Sequence, residues 1–266
     1  MTLVEEIKKR IRELRKLHGY TQEKLAEISG IDYKHIQKLE GKDSIYPRID
    51  TLEKIASAFS MSLPEFLDFP DESTKQTYNQ IAKEYDAKNK NVTPIKANIN
   101  RFLEKIEKGA KILDLGCGNG RDAAYFVKLG YKVIGIDFSD AMIKIAKQKT
   151  RKATFYNMQL TRLYFEPNTF DAVWANASLL HLSRANFRKA LQEIYVVLKE
   201  NGILYISMKQ HQETKEHVDT TYGQERYYLL WNRKELIAEI ENANFQMIEF
   251  WENQPNWMNI LAKKIR

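Results

Sequence analysis

The chain has 266 residues, 43% hydrophobic and 11% aromatic, a length suited to one medium domain beside a small one. Lys and Arg number 42 against 35 Asp and Glu, a net charge of +7, and no apolar run is long enough for a membrane-spanning helix. The single cysteine, Cys117, excludes an internal disulfide or thiolate metal cluster, and the five histidines lack HExxH spacing, so no metal site is expected.

The opening "MTLVEEIKKRIREL" shows neither an apolar core nor a small-residue cleavage site, so no export signal and a reducing, cytoplasmic setting are expected. Leu3, Ile7, Ile11, Leu14 and Leu17 repeat at helical spacing, and Gly19 suits the positive φ that ends a helix. Thr21 is placed to cap a second helix that stops at Gly30, and Asp32 to cap a third, "YKHIQKLEG", with Ile36 and Leu39 inward. A fourth helix is expected near Asp50, with Leu52, Ile55, Ala56 and Phe59 on one face, and a fifth from Ser62 and Pro64.

This run, "YTQEKLAEISGIDYKHIQKLEGKDSIYPRIDTLEKIASAFSMSLPEFL", resembles the Cro and phage-repressor type of helix-turn-helix domain over nearly all of residues 4–67. The resemblance implies a small all-α N-terminal domain whose third helix enters the DNA major groove, with Tyr33, Lys34, Gln37 and Lys38 facing base edges and Gln22 holding a phosphate. Gln can pair with adenine and Lys with guanine or phosphate. Residues 1–70 hold 12 Lys and Arg against 12 Asp and Glu, with 30 against 23 in the remainder, so the excess charge lies outside this segment. That balance keeps protein contact or homodimerisation open beside DNA binding.

The segment "DFPDESTKQT" has linker composition, which gives residues 1–68 as one domain, 69–76 as a linker and 77–266 as the second domain. From residue 110 strands and helices alternate: "KILDL", "RDAAYFVKLG", "YKVIGID", "DAMIKIAKQK", "FDAVWANA", "RKALQEIYVVLK" and "GILYISM". That alternation predicts an α/β doubly wound, Rossmann-like sheet with its ligand at the carboxyl ends of the strands.

The turn "DLGCGNGRD" lies at such an end. A dinucleotide turn needs a third glycine where Arg121 stands, no Gly-Lys-Ser/Thr follows, and Asp114 would oppose a phosphate. A ligand without phosphate therefore fits best. S-adenosylmethionine meets the conditions, because its ammonium and sulfonium favour carboxylates and its ribose offers two hydroxyls.

"LDLGCGNG" followed by Asp137 resembles motifs I and II of the class I S-adenosylmethionine-dependent methyltransferases, and the likeness runs through roughly residues 76–266. "TYNQIAKEYD" is similar to the family's lid helix, and "FQMIEFWENQ" and "WMNILAKK" to its last two strands. The resemblance implies a seven-stranded, mostly parallel sheet. Carried over by position, Gly116, Gly118 and Gly120 pass under the cofactor, Cys117 and Asn119 complete the turn, and Asp114 lies near the amino-acid end. Asp137 would hold the ribose, and Phe138 and Met142 would flank the adenine unless they are ordinary core residues. Where the family places an aspartate on the adenine amine, this chain reads Met158, Gln159, Leu160, which puts the neutral amide of Gln159 there. Tyr78 and Tyr85 of the lid and Asn176 after the fourth strand complete the implied shell.

"ANASLLHL" lacks the prolines of DNA amine methyltransferases, and no Pro-Cys nucleophile exists, so DNA methylation is disfavoured. His181 is the candidate base, or a histidine bonded structurally at a loop, and Arg226, Tyr227 and Tyr228 are candidates for contact with the acceptor. Three readings stand: a methyltransferase for a small-molecule acceptor, a regulator whose methyltransferase fold senses S-adenosylmethionine or a metabolite, and a tRNA-modifying methyltransferase. The basic run from Lys144 to Lys152 could serve RNA in the third, or be a solvated helix face.

Overall fold

Two apolar patterns of different period collapse into separate cores. The computed structural model describes residues 3–41, 46–67, 72–254 and 256–266 and divides into two units, Met1–Pro70 and Asp71–Arg266.

The smaller unit contains helices α1 (Leu3–Leu17), α2 (Gln22–Ser29), α3 (Tyr33–Glu40), α4 (Ile49–Ala58) and α5 (Leu63–Leu67). Ile7, Ile11 and Leu14 share a core with Leu25, Ile36, Leu39, Ile55 and Phe59. The side chains of Leu3 and Leu17, expected on the same stripe, lie outside the described residues. Thr21 accepts from the Lys24 N–H, Asp32 accepts from the His35 N–H, and Gly30 takes the left-handed conformation at φ 64°. The α2–α3 turn therefore closes within three residues, as a helix-turn-helix requires. Glu40, at the end of α3, accepts from Arg15 of α1 at 2.6 and 2.8 Å and from Gln22 of α2 at 2.8 Å, tying three helices through one buried carboxylate.

The larger unit opens with α6 (Glu72–Lys88) and α7 (Lys96–Leu103). It continues through β1 (Lys111–Leu115), α8 (Arg121–Lys128), β2 (Lys132–Asp137), α9 (Asp140–Lys149), β3 (Thr154–Asn157) and β4 (Phe170–Asn176). Then come α10 (Arg184–Val197), β5 (Leu198–Lys209), β6 (Lys215–Asp219), β7 (Arg226–Leu230), α11 (Arg233–Asn242), β8 (Phe245–Gln254) and β9 (Trp257–Lys264). The main sheet has the order β3-β2-β1-β4-β5-β9-β8, parallel through β5, with β9 antiparallel to both neighbours. This is the Rossmann-like α/β architecture. Strands β6 and β7 form a separate antiparallel hairpin.

Alternate residues of the central strands serve opposite faces of the sheet. Ile112, Ala172, Trp174 and Tyr205 pack with α7, α8 and α9. Leu113, Leu115, Val173, Leu204 and Ile206 pack with α10 and α11. The order reverses between β1 and β4, which leaves a crevice above their carboxyl ends.

The expected linker over 69–76 is helical from Glu72 onward, while residues 68–71 lie outside the described ones. Tertiary contact explains the difference: Thr74 and Lys75 are buried, and the Thr74 hydroxyl accepts from the Tyr227 N–H at 3.1 Å.

Trp174 is fully buried, stacks on Tyr205 with 3.9 Å between ring centroids, and meets Phe126 edge-on. Trp174→Ala is expected to cost about 3–5 kcal/mol. In urea unfolding the transition of the larger unit should move to lower denaturant while that of the smaller unit stays in place.

Candidate functional site

After β1 the chain turns through Gly116, Gly118 and Gly120, with φ of 77°, 51° and 74°. Glycine, having no Cβ, adopts this region without steric cost. A Cβ on Gly116 would stand 2.3 Å from the Ser178 Cβ, and one on Gly120 would stand 2.8 Å from the Ala146 Cβ, so these two are locked against the protein. Gly118 differs. The nearest atom to its Cβ position is on the Tyr85 ring at 3.8 Å, an ordinary contact, and both residues line a cavity of about 370 Å³.

Gly116, Cys117, Gly118, Asn119 and Asn176 form one wall of that cavity, with Tyr78 and Tyr85 of α6 opposite. Three carboxylates converge beneath the turn. Asp137 accepts from the N–H groups of Gly118 and Ser139, each at 2.9 Å, and burial pushes its pKa up to about 6. Asp122 lines the cavity and is held by Arg121 at 2.6 Å, the Trp174 indole at 3.0 Å and the Asn176 amide at 3.2 Å. Asp114 is 2% exposed, and one of its oxygens has no hydrogen-bond partner among the described residues. Burial and the neighbouring Asp122 carboxylate drive its pKa well above the ordinary carboxylate range.

The second wall comes from the segment after β4 and from the β6–β7 hairpin. His181 Nδ1 lies 2.9 Å from the Tyr227 carbonyl, which can only accept, so Nδ1 carries the proton. Nε2 is then free to accept, and it takes the Tyr78 hydroxyl at 2.9 Å. The Tyr78 oxygen accepts in turn from Arg226 at 3.2 Å. Arg226 is ion-paired with Asp219 and surrounded by the rings of Tyr78, Tyr222 and Tyr228 at 4.8–5.6 Å. Asn98, Asn253 and Asn259 form another part of the lining, joined to Tyr205 and Trp251 in a network where each donor meets an acceptor.

Sequence reasoning placed Tyr78, Tyr85, Gly116, Cys117, Gly118, Asn119, Asn176, His181, Arg226 and Tyr228 at one site, and all ten line this cavity. The other expected residues are not among those that line it. Asp114 and Gly120 lie behind the turn, and Asp137 directs its carboxylate at main-chain N–H groups. Phe138, Gln159 and Leu160 are half-buried away from the cavity lining, and Met142 is core at 1% exposure. The α6 helix occupies the approach to these positions, with Asn79 accepting from the Ser139 hydroxyl at 2.8 Å and the Ala141 N–H at 3.1 Å. The Tyr227 hydroxyl points away to Glu216, and its carbonyl is what serves the site. Cys117 is a buried turn residue whose thiol burial holds in the protonated form.

In the smaller unit Tyr33, Lys34, Gln37 and Lys38 are exposed on α3, and Gln37 donates to the Tyr33 hydroxyl at 2.8 Å. Gln22 commits an amide hydrogen to Glu40, so the expected phosphate ligand is partly engaged inside the fold.

Residues 113–206 match the methyltransferase domain family, and residues 11–66 match a helix-turn-helix family. Among curated relatives, an uncharacterised protein of Methanocaldococcus jannaschii is 34% identical over 137 residues, half of this chain and 51% of its own length. The malonyl-[acyl-carrier protein] O-methyltransferase of Buchnera aphidicola is 33% identical over 114 residues, 42% of this chain and 45% of its own. The chain thus spans about half the length of these relatives. A solved structure of similar fold is the 1,6-didemethyltoxoflavin-N1-methyltransferase of Burkholderia thailandensis, with a TM-score of 0.61 and 18% identity over 72% of this chain and 87% of that one.

The hydrogen bonds at His181 make a direct prediction. Long-range ¹⁵N–¹H correlation spectra of the neutral ring should show the Nδ1–H tautomer; an Nε2–H signal would contradict the Tyr78–His181 arrangement.

Proposed function

We propose that this chain, a methyltransferase domain joined to a helix-turn-helix domain, binds S-adenosylmethionine at the glycine turn and transfers its methyl group to an oxygen or nitrogen of a small molecule. The observation that carries the reading is the shared cavity: the turn and Asp122 form one wall, and His181 with the β6–β7 residues forms the other. The residues present fit such a cofactor. Gly118 presents its backbone to the cavity with no side chain over it, Tyr78 and Tyr85 offer aromatic surfaces, and the Asp122 carboxylate, paired with Arg121, is an acceptor on the same wall. Bound there, the cofactor supplies an electrophilic methyl on a sulfonium.

The chain's own part is alignment, exclusion of water and proton removal. Thr77 donates to the Glu225 carbonyl at 2.7 Å and Asn89 to the Tyr222 hydroxyl at 3.3 Å, so α6 is fastened to the loop of the β6–β7 hairpin across the carboxyl ends of the sheet. A proton leaving the acceptor passes to the Tyr78 oxygen as the Tyr78 proton moves to His181 Nε2, and the Tyr227 carbonyl keeps the ring oriented. A cavity of about 370 Å³ under two fastened elements suits a small acceptor better than a folded RNA. No helix among the described residues is long and apolar enough to cross a membrane. The exposed set on α3 supports DNA binding by the smaller unit.

Calorimetry with S-adenosylhomocysteine tests the cofactor site. Wild type should bind, and Gly118→Val, whose side chain extends toward the Tyr85 ring, should bind at least tenfold more weakly. The dissociation constant should rise as pH falls through about 6, where Asp137 takes up a proton, and Asp137→Asn should lack this dependence. The fold itself has the opposite preference. A carboxyl whose pKa is raised from 3.8 to about 6 contributes most stability when protonated and loses it as pH climbs through that interval. Absence of binding to folded wild type would overturn the reading.

For the smaller unit, Lys34→Ala and Lys38→Ala should each weaken binding to duplex DNA. Any lysine that contacts a phosphate should lower the log–log salt slope by about 1. Unchanged affinity in both variants would remove α3 from the interface.

A further inference from the structure

Three cations line the cavity among the described residues, and two are neutralised inside the fold: Arg121 by Asp122 and Arg226 by Asp219. The third, Lys209, has no ion-pair partner among the described residues. It is the last residue of β5 and is half-buried, with its ammonium 4.6 Å from the Tyr228 ring centroid and 5.9 Å from that of Trp257. Those aromatic faces steady the cation without neutralising it. A half-buried ammonium facing a cavity lacks both full hydration and a counter-charge, and a ligand anion would supply the second.

Its position sets what such an anion could belong to. The Tyr228 ring has Lys209 on one side and the His181 ring, at 4.9 Å between centroids, on another. The base and the uncompensated cation are thus one aromatic ring apart. Lys209 and Trp257 also line a second cavity of about 620 Å³, with Gln210, His211 and His217, so the ammonium borders both.

We propose that Lys209 binds an anionic group, a carboxylate or a phosphate, carried by the methyl acceptor, so that the substrate class is a compact, negatively charged molecule held with its nucleophile toward His181. This rests on the methyl-transfer reading above. Arg226, which the sequence suggests for acceptor contact, is spoken for by Asp219, and Lys209 takes that role.

Ligand-observed NMR titrations with benzoate, phenyl phosphate and neutral benzyl alcohol test the proposal on the full chain, wild type and Lys209→Met, with and without S-adenosylhomocysteine. Methionine keeps an unbranched stem against Tyr228 and Trp257, and a matching thermal midpoint verifies folding. Wild type should bind at least one of the two anions tenfold or more tightly than benzyl alcohol. Which anion binds identifies the group, and Lys209→Met should lose the preference while its affinity for S-adenosylhomocysteine stays unchanged. Equal binding of all three probes to wild type, survival of the preference in Lys209→Met, or weakened S-adenosylhomocysteine binding in that variant would each overturn it. If wild type fails to bind S-adenosylhomocysteine, the methyl-transfer reading falls, and the cofactor-free titrations still report on Lys209 as an anion site.

Discussion

Three carboxylates packed beneath one glycine turn are the constraint around which the larger unit is organised. Charge that leaves water must be neutralised, hydrogen-bonded or protonated, and each of the three takes a different route. Burial shifts Asp114 toward its protonated form, Asp122 is held by a guanidinium, an indole and an amide, and Asp137 accepts two main-chain N–H groups. Asp137 thereby fixes the peptide of Gly118, the turn glycine that faces the Tyr85 ring across the cavity. The donors to Asp122 come from β4 and α8, so the turn, the central strand and the first helix after it are held as one body.

Much of this was legible because the signals are local. "KILDL" and "DAMIKIAKQK" coincide with β1 and α9, since a short buried strand or a capped amphipathic helix is specified by its own residues, and "FQMIEFWENQ" and "WMNILAKK", expected from the family resemblance, coincide with β8 and β9. The glycines read equally well, because positive φ is a property of one position. What escaped depends on pairs far apart in sequence. Tyr78 and His181 are 103 residues apart, and nothing nearby announces that they meet. Asp122 was not singled out by the sequence, although two donors from β4 join its neighbour Arg121 to make it part of the site. The segment around Thr74 is polar and aperiodic, and it becomes helical by docking on β7, a contact that composition does not encode.

The smaller unit shows the same division between local and long-range signals. Its caps at Thr21 and Asp32 were readable residue by residue. The role of Glu40 was not: an acidic residue at the end of an exposed helix looks like solvent-facing charge until Arg15 and Gln22 converge on it. That convergence lets a unit with equal numbers of acids and bases keep Lys34 and Lys38 on its outer surface while part of its charge is spent internally.

The tyrosine cluster around Arg226 has a bearing on selectivity. Aromatic boxes of this kind are receptors for quaternary ammonium groups, and here the box is filled from within by a guanidinium tethered to Asp219. The centre of the cluster is thus taken by a side chain of the protein itself, held there by an ion pair.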